Sequence, residues 1–388
     1  MIRNISVGID VGSATTRVVV GEFLKGEKNP KIIGIGEAPS KGLRHGYVTN
    51  IAEAAMSLKN ALAMAEKNSG IKIKRAFISI GGATLRGDIS AGMGIVSKAD
   101  GEVTVLDINK SLEDAEENLN LNNRKVIKVF PISFKLDSKE VMGRPEGMRG
   151  TKLETKALFV SCSNSHFEDL MEVISLTGID PIDVVAETEA SSRIALAEKQ
   201  KIVGCALVDI GSETTSLSVF ENGTIASMQT FPIGGEDITN DIALGMKTSL
   251  DSADKMKLGS SNEEFSKKKL DEIIEARFSD IFELIENHLK KIKRNELLPA
   301  GIVFVGGSSS APLLSDLAKN ALNLPARIGE TEIFGNIKTK LRDPAWFTAL
   351  GLIVPDDDGD YYSDNSSLKN ILKSLKGILK SNIKQLMP

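Results

Sequence analysis

Asp10-Val11-Gly12-Ser13-Ala14-Thr15-Thr16 and Asp209-Ile210-Gly211-Ser212-Glu213-Thr214-Thr215 are two copies of one phrase, and their reading decides the fold. In each copy an apolar run (Ile5 to Ile9; Ala206 to Val208) ends on an aspartate, and Gly-Ser and two threonines lead into a second run, Arg17-Val18-Val19-Val20 or Ser216-Leu217-Ser218-Val219. Short apolar runs bounded by turn residues read as buried strands, so each copy predicts a hairpin with Gly-Ser in its tight turn. Residues 10–20 and 209–219 agree at the Asp, the Gly, the Ser, both Thr and the final Val. An ordinary Asp-Gly turn explains one copy; a duplicate in matched context argues for two half-sites.

The residue types suit a phosphate. A glycine turn lets backbone N–H groups converge on phosphate oxygens, and Ser and Thr hydroxyls add donors. Gly12, Ser13, Ala14 and Thr15 would grip from one side, and Gly211, Ser212, Glu213 and Thr214 from the other. A carboxylate at a strand end can hold Mg2+ directly or through water, which makes Asp10 and Asp209 the candidate metal residues. Asp209, by orienting metal or water, is also a candidate catalytic group. A third apolar run enters Gly306-Gly307-Ser308, where paired glycines permit close backbone approach to a ligand. Strands ending in Gly-Gly are also common in α/β proteins that bind nothing there.

Composition narrows the class. The 388 residues, 41% of them apolar, exceed one ordinary core and predict two or more domains. A net charge of -4, with no Lys/Arg block interleaved with aromatics, gives no case for nucleic-acid binding. Cys162 and Cys205, with His45, His166 and His288 scattered, show no metal-ligand spacing and read as buried thiols of a reducing cytoplasm. The first strand begins almost at Met1, so no signal peptide is expected. No apolar run approaches the roughly 20 residues of a membrane span, so any membrane contact would be superficial.

Asp10 to Thr16, Asp209 to Thr215 and Val303 to Ser308 resemble the phosphate-1, phosphate-2 and adenosine motifs of the actin, sugar kinase and DnaK-type chaperone superfamily. Ile33-Gly34-Ile35-Gly36, Ser40-Lys41-Gly42-Leu43 with Gly46-Tyr47-Val48, Ile78-Ser79-Ile80-Gly81-Gly82, Phe231-Pro232-Ile233-Gly234-Gly235 with Ile238-Thr239, and Thr348-Ala349-Leu350-Gly351-Leu352 narrow the likeness to the FtsA family, bacterial cell-division homologues of actin. The resemblance spans residues 5–355. It implies an α/β, actin-like (ribonuclease H-like) two-domain fold with an inserted 1C-type subdomain, binding ATP and Mg2+ in the cleft. On that plan residues 1–83 and 162–200 form domain 1A, 84–161 the 1C-like insertion, 201–240 and 301–354 domain 2A, and 241–300 subdomain 2B. In the family the insertion mediates self-assembly into filaments; a passive α/β insertion is the alternative.

Further roles follow from the resemblance. Glu187, where the domains connect, would orient the water that attacks the terminal phosphate, or is only a solvated carboxylate at a helix start. Gly234 and Gly235 would place N–H groups at a helix N-terminus beside phosphate or ribose. Asp254 and Lys257 resemble the Glu and Lys flanking adenine and ribose, although this chain is slightly shorter before Gly259. Lys290-Lys291-Ile292-Lys293-Arg294 is either a solvated helix end or part of the surface that, in the family, takes the C-terminal peptide of FtsZ. Local patterns predict helices over 51–68, 110–120, 165–177 and 189–200, strands over 72–80, 103–105, 126–130, 156–161 and 182–186, and a type I′ hairpin at Asn222-Gly223.

The C-terminus changes character. Pro355 to Ser367 carries five aspartates and few core formers, and reads as a flexible linker. Leu368 to Pro388 holds five lysines and no acid. At helical spacing Leu368, Ile371, Leu372, Leu375, Ile378, Leu379, Ile383 and Leu386 share one arc of about 140°. Lys369, Lys373, Lys376, Lys380 and Lys384 fall in an adjacent arc. An apolar stripe beside a lysine row suits an interfacial helix on anionic membrane lipids. A helix docked on a partner or on this chain's own core is the alternative, though it needs no charged tether. FtsA relatives end in such a membrane-targeting helix, often with interfacial aromatics; this one has none, so its anchoring should be weaker or depend more on lipid charge. The family likeness therefore implies a peripheral protein on the cytoplasmic membrane face at the division site. It would polymerise with itself, bind FtsZ and other division proteins, bind no nucleic acid, and hydrolyse ATP slowly at most. A pilus-assembly ATPase or a small-molecule kinase of the same superfamily is the rival, but a kinase needs a catalytic base facing a substrate pocket and the sequence offers none.

Overall fold

Both copies of the repeated phrase fold as antiparallel hairpins in matching register. Strand Asn4–Val11 pairs with Thr15–Phe23 so that Asp10 faces Arg17 and Val11 faces Thr16. Strand Cys205–Ile210 pairs with Thr215–Glu221 so that Asp209 faces Ser216 and Ile210 faces Thr215. Val7, Ile9, Val18 and Val20 in the first hairpin, and Ala206, Val208, Leu217 and Val219 in the second, are buried, which is the apolar content that made both legible. The computed structural model describes residues 4–355 except 28, 262–264, 312, 332 and 335–338. Most of the acidic linker, 356–367, and all of the lysine-rich segment Leu368 to Pro388 lie outside the described residues.

Around each hairpin the same sheet is built. In the first half the order is Asp180–Ala186, Arg75–Ile80, Asn4–Val11, Thr15–Phe23, Lys31–Pro39, parallel across the first two pairings and antiparallel across the last two. In the second half Ala326–Ile328, Ile302–Val305, Cys205–Ile210, Thr215–Glu221 and Thr224–Phe231 repeat that order and those polarities. Asn222 and Gly223 both sit at positive φ (52° and 83°), as a type I′ turn demands. The fold is therefore mixed α/β and actin-like.

The second sheet does not stop there. Through the single pairing of Gln229 with Arg86 it continues into Arg86–Ile95, Lys152–Ser163, Arg124–Leu136 and Lys139–Val141, the strands of the insertion. Helix Val105–Glu117 covers them, packing Ile108, Leu112 and Ala115 inward. Val103-Thr104-Val105, expected as a strand, is instead the helix start: the Thr104 side chain accepts from the Asp107 N–H, and Asp107 accepts from the Thr104 N–H at 2.9 Å. The reciprocal capping box outweighs the β-branched run. Strand Arg86–Ile95 was not foreseen, because its alternating glycines hide the period.

One long helix packs in each half. Ile51–Ser69 is capped by Asn50, which accepts from the Glu53 N–H, and by Gly70 in the left-handed region. Lys267–Lys291 buries Leu270, Ile274, Phe278, Ile281, Ile285 and Leu289, a row at helical spacing, in the core that also holds Ile238, Ile242 and Phe304. The helix expected over 189–200 is split into Glu187–Ala195 and Glu198–Val203 by an extended Leu196. Among the described residues no helix is long and apolar enough to cross a membrane.

Candidate functional site

The two turns open onto one cavity of about 480 Å³. Asp10, Gly12, Ser13, Ala14 and Thr15 line it from one hairpin, and Asp209, Gly211, Ser212 and Thr214 from the other. Glu187, Gly306, Gly307 and Ser308 complete the floor, and Asp254 and Lys257 stand at the side. The double glycine is tied to the second turn: the Ser308 N–H donates to the Ile210 carbonyl at 3.0 Å, and its hydroxyl to the Gly211 carbonyl at 3.0 Å. A volume of this size holds a small polar ligand.

Three expected residues do not line the cavity. Glu213 turns toward the hairpin of Leu43–Arg44 and Tyr47–Val48, where its carboxylate accepts the His45 N–H at 2.6 Å and its carbonyl lies 3.0 Å from His45 Nδ1. The next residue, Gly46, donates its N–H to the Ser13 hydroxyl at 3.0 Å. This small hairpin thus clasps both turns at once. Gly234 and Gly235 were expected to offer N–H groups to a ligand, but these are already used. The Gly234 N–H donates to Asp237 Oδ2 at 2.8 Å and the Gly235 N–H to the Gly211 carbonyl at 2.9 Å, because buried amides take the nearest acceptor. A side chain at Gly235 would also strike Ser308 Oγ, at 1.9 Å from its Cβ. Both glycines therefore support the second turn from behind. Lys257 does line the cavity, yet its ammonium is engaged by Asp254 (2.8 Å), Thr239 Oγ1 (2.8 Å) and the Gly235 carbonyl (3.1 Å).

Three carboxylates face one another at the base. Asp10 accepts from the Ser79 hydroxyl at 2.7 Å, Asp209 is 3.5 Å from the Thr348 hydroxyl, and Glu187 accepts from the Ser216 hydroxyl. Gly306 gives Asp209 its room, since a Cβ there would come within 2.2 Å of Oδ1. Burial, then the charges of Asp209 and Asp10, push the Glu187 carboxyl well above the usual range. Burial and the Asp10 charge do the same to Asp209, against the opposing pull of Arg17. Asp10 is raised by burial and drawn back by Arg17 and Ser79. Crowded acids of this kind favour a bound cation. Oxygen donors without soft ligands suit Mg2+. No group of three or more His, Cys, Asp or Glu side chains among the described residues could hold a metal unaided, so a Mg2+ here would complete its shell with water and ligand oxygens.

Arg17, Ser79, Ser216 and Thr348 were missed as site residues. A polar residue inside an apolar strand, as in Ile78-Ser79-Ile80, was the available signal. Elsewhere, Cys162 and Cys205 are buried, and burial pushes both thiols up to about 12, as expected for structural cysteines. Within the basic stretch, Lys290 pairs with Glu286 and Arg294 with Glu221.

The family model described as "Cell division protein FtsA" matches residues 206–351, and that described as "SHS2 domain inserted in FTSA" matches 82–161. The cell division protein FtsA of Neisseria meningitidis serogroup B is 30% identical over 374 residues, which span 90% of this chain and 89% of that protein. A chain of the PilM-PilN type IV pilus biogenesis complex superposes with a TM-score of 0.69 at 16% identity, covering 90% of this chain and 97% of its own. MreB 5 of Spiroplasma citri, solved with AMPPNP bound, gives 0.51 at 14% identity, covering 96% and 99%. At those identities the structures speak for the fold alone.

Proposed function

Since the chain belongs to the FtsA family of cell-division proteins, we propose that it binds ATP with Mg2+ in the cleft and uses it to govern assembly on a membrane. The observation that carries this reading is the opening of both matched turns, with Asp10, Asp209 and Glu187 between them, onto one cavity. The amides and hydroxyls of residues 12–15, with those of Gly211, Ser212 and Thr214, would hold the phosphates from opposite walls. Gly306 to Ser308 would receive the adenosine, with Asp254 and Lys257 at its edge. Bound Mg2+ would supply neutralisation of phosphate charge beside Asp10 and Asp209. Glu187, anchored by Ser216, would accept a hydrogen bond from a water near the terminal phosphate once its own proton is displaced. Turnover by such a site would be slow at most.

The MreB structure with AMPPNP supports nucleotide binding on this fold, and family membership supports the rest. The insertion, residues 84–161, would join copies into filaments. Residues 368–388 would lay their apolar stripe on anionic lipid at the cytoplasmic face, and many weak tails on one polymer would bind far more tightly than one. The filament would there hold the C-terminal peptide of FtsZ and other division proteins. Calorimetry with MgATP tests the core of this reading; no affinity for any adenine nucleotide overturns it. Vesicle co-sedimentation with and without residues 368–388 tests the anchor, which unchanged binding after deletion refutes. A pull-down with the FtsZ peptide separates this role from pilus assembly, which rests on fold likeness only.

A further inference from the structure

We infer that the hairpin of Leu43–Arg44 and Tyr47–Val48 is the exchange gate of the cleft: a strap based in the first half whose tip is latched to Glu213 in the second, and whose opening sets how fast a ligand enters and leaves. The inference rests on the proposal that the cavity binds an adenine nucleotide, and it adds what controls exchange. The two short strands pair only with each other, Leu43 with Val48 and Arg44 with Tyr47, and among the described residues they join neither large sheet. A ribbon of this length is marginal by itself, so its position depends on what holds its tip. The tip is His45-Gly46. His45 donates its N–H to Glu213 at 2.6 Å and sets its Nδ1 3.0 Å from the Glu213 carbonyl, while the Gly46 N–H donates to the Ser13 hydroxyl at 3.0 Å. Gly46 lines the cavity beside Ser13 and Gly82, so the tip is part of the wall that a ligand must pass.

The backbone of the tip is held against its own preference. His45 takes a φ of 46°, a left-handed conformation that a residue with a side chain adopts rarely and keeps only where its surroundings impose it. Gly46, at φ 79°, is pressed so close to the next layer that a Cβ would come within 2.3 Å of the Gly82 Cα. The base is firm by comparison. The Thr49 and Asn50 N–H groups both donate to the Gly42 carbonyl, at 2.8 and 3.1 Å, just ahead of helix Ile51–Ser69. Behind the strap the Tyr47 ring lies 5.2 Å from that of His166, whose Nδ1 is 2.8 Å from the Thr84 hydroxyl. Arg124 pins the same seat, donating to the carbonyls of Thr84 at 2.7 Å and Ser161 at 2.8 Å. A firm base with a strained tip makes a hinge, and the contacts that must part are those of His45 with Glu213 and of Gly46 with Ser13. Neither is a rung of a main sheet, so the gate opens without unfolding either half.

The test uses the full chain and a fluorescent ATP analogue with magnesium, followed by stopped-flow. Glu213→Ala removes the acceptor of the His45 N–H and should speed uptake and release alike, about threefold, with Kd unchanged; Glu213→Gln keeps an acceptor and should stay near wild type. In a chain carrying His45→Cys and Glu213→Cys, a short bis-methanethiosulfonate cross-linker should slow uptake and release by roughly tenfold or more, and reductant should restore both. Cys162 and Cys205 are buried and stay out of that reaction. If Glu213→Ala speeds release alone and raises Kd in proportion, Glu213 is a ligand contact and the gate is overturned. If the cross-linked chain exchanges as fast as the reduced one, ligand passes elsewhere and the gate is overturned as well. A wild-type chain with no affinity for the analogue or for ATP overturns the nucleotide reading itself, a result distinct from the others.

Discussion

The two hairpins share register, turn and leading aspartate, and differ in the residue that faces that aspartate: Arg17 in the first, Ser216 in the second. From that difference the walls acquire opposite characters. Across the first hairpin Asp10 meets a cation and accepts from Ser79. Across the second, the serine beside Asp209 turns its hydroxyl to Glu187 and places another acid in the floor. Duplication supplies a symmetric frame, and the divergence of Arg17 from Ser216 supplies an asymmetry that the proposed phosphate chemistry would use.

The strongest way to break the comparison is to remove the feature both walls share. Asp10→Asn and Asp209→Asn should each lower magnesium-dependent ATP affinity by roughly a hundredfold, since each strips a charge from the proposed, desolvated cation site; calorimetry with magnesium and with EDTA would show it. Equal affinity in EDTA and magnesium would show that neither carboxylate serves a metal.

Next in size is a pH effect that belongs to the second wall. Glu187 has its carboxyl raised in the folded chain, so its stabilising contribution is complete below the unfolded pKa, near 4.5, and is lost as pH rises through the folded value. Without ligand the melting temperature should fall between pH 5 and 8, and Glu187→Gln should flatten that fall and melt a few degrees higher at pH 8. Magnesium nucleotide should reverse the order by making the carboxylate useful. A melting temperature of wild type that rises over this range would contradict the placement of the acid.

Smaller effects sharpen the contrast. Glu213→Ala removes the acceptor of the His45 N–H and should speed nucleotide release about threefold, read by stopped-flow with a fluorescent analogue. Ser79→Ala should weaken magnesium affinity a few-fold through Asp10, whereas Ser216→Ala should leave it unchanged and alter only turnover. Identical phenotypes for the two serines would mean that the walls are functionally equivalent.

How far the site was legible follows from these residues. Strand, aspartate and glycine turn repeat as a contiguous phrase, and contiguous apolar runs beside turn residues are what a sequence displays best. The helix Ile51–Ser69 was visible because its stripe and caps agree. Arg17 and Ser216 were not, because one polar residue in a strand reads equally as a solvated face. Gly234 and Gly235 misled for a different reason: whether an amide is free depends on the acceptor folded against it, here Asp237 and Gly211. Thr104 was read through its β-branched neighbours, when Asp107 three residues on was the better guide. The break at Leu196 carries no Gly or Pro to announce it.

The junction of Gln229 with Arg86 has a mechanical meaning. By chain connection the insertion leaves from and returns to the first half, yet by hydrogen bonding its sheet is an extension of the second. Lys128 on an insertion strand also grips Glu189, two residues beyond Glu187, at 2.6 Å. Tension applied to the insertion by a neighbouring molecule is therefore borne by both sides of the cleft. Prising the halves apart must either unzip that one rung or swing the insertion as a lever arm.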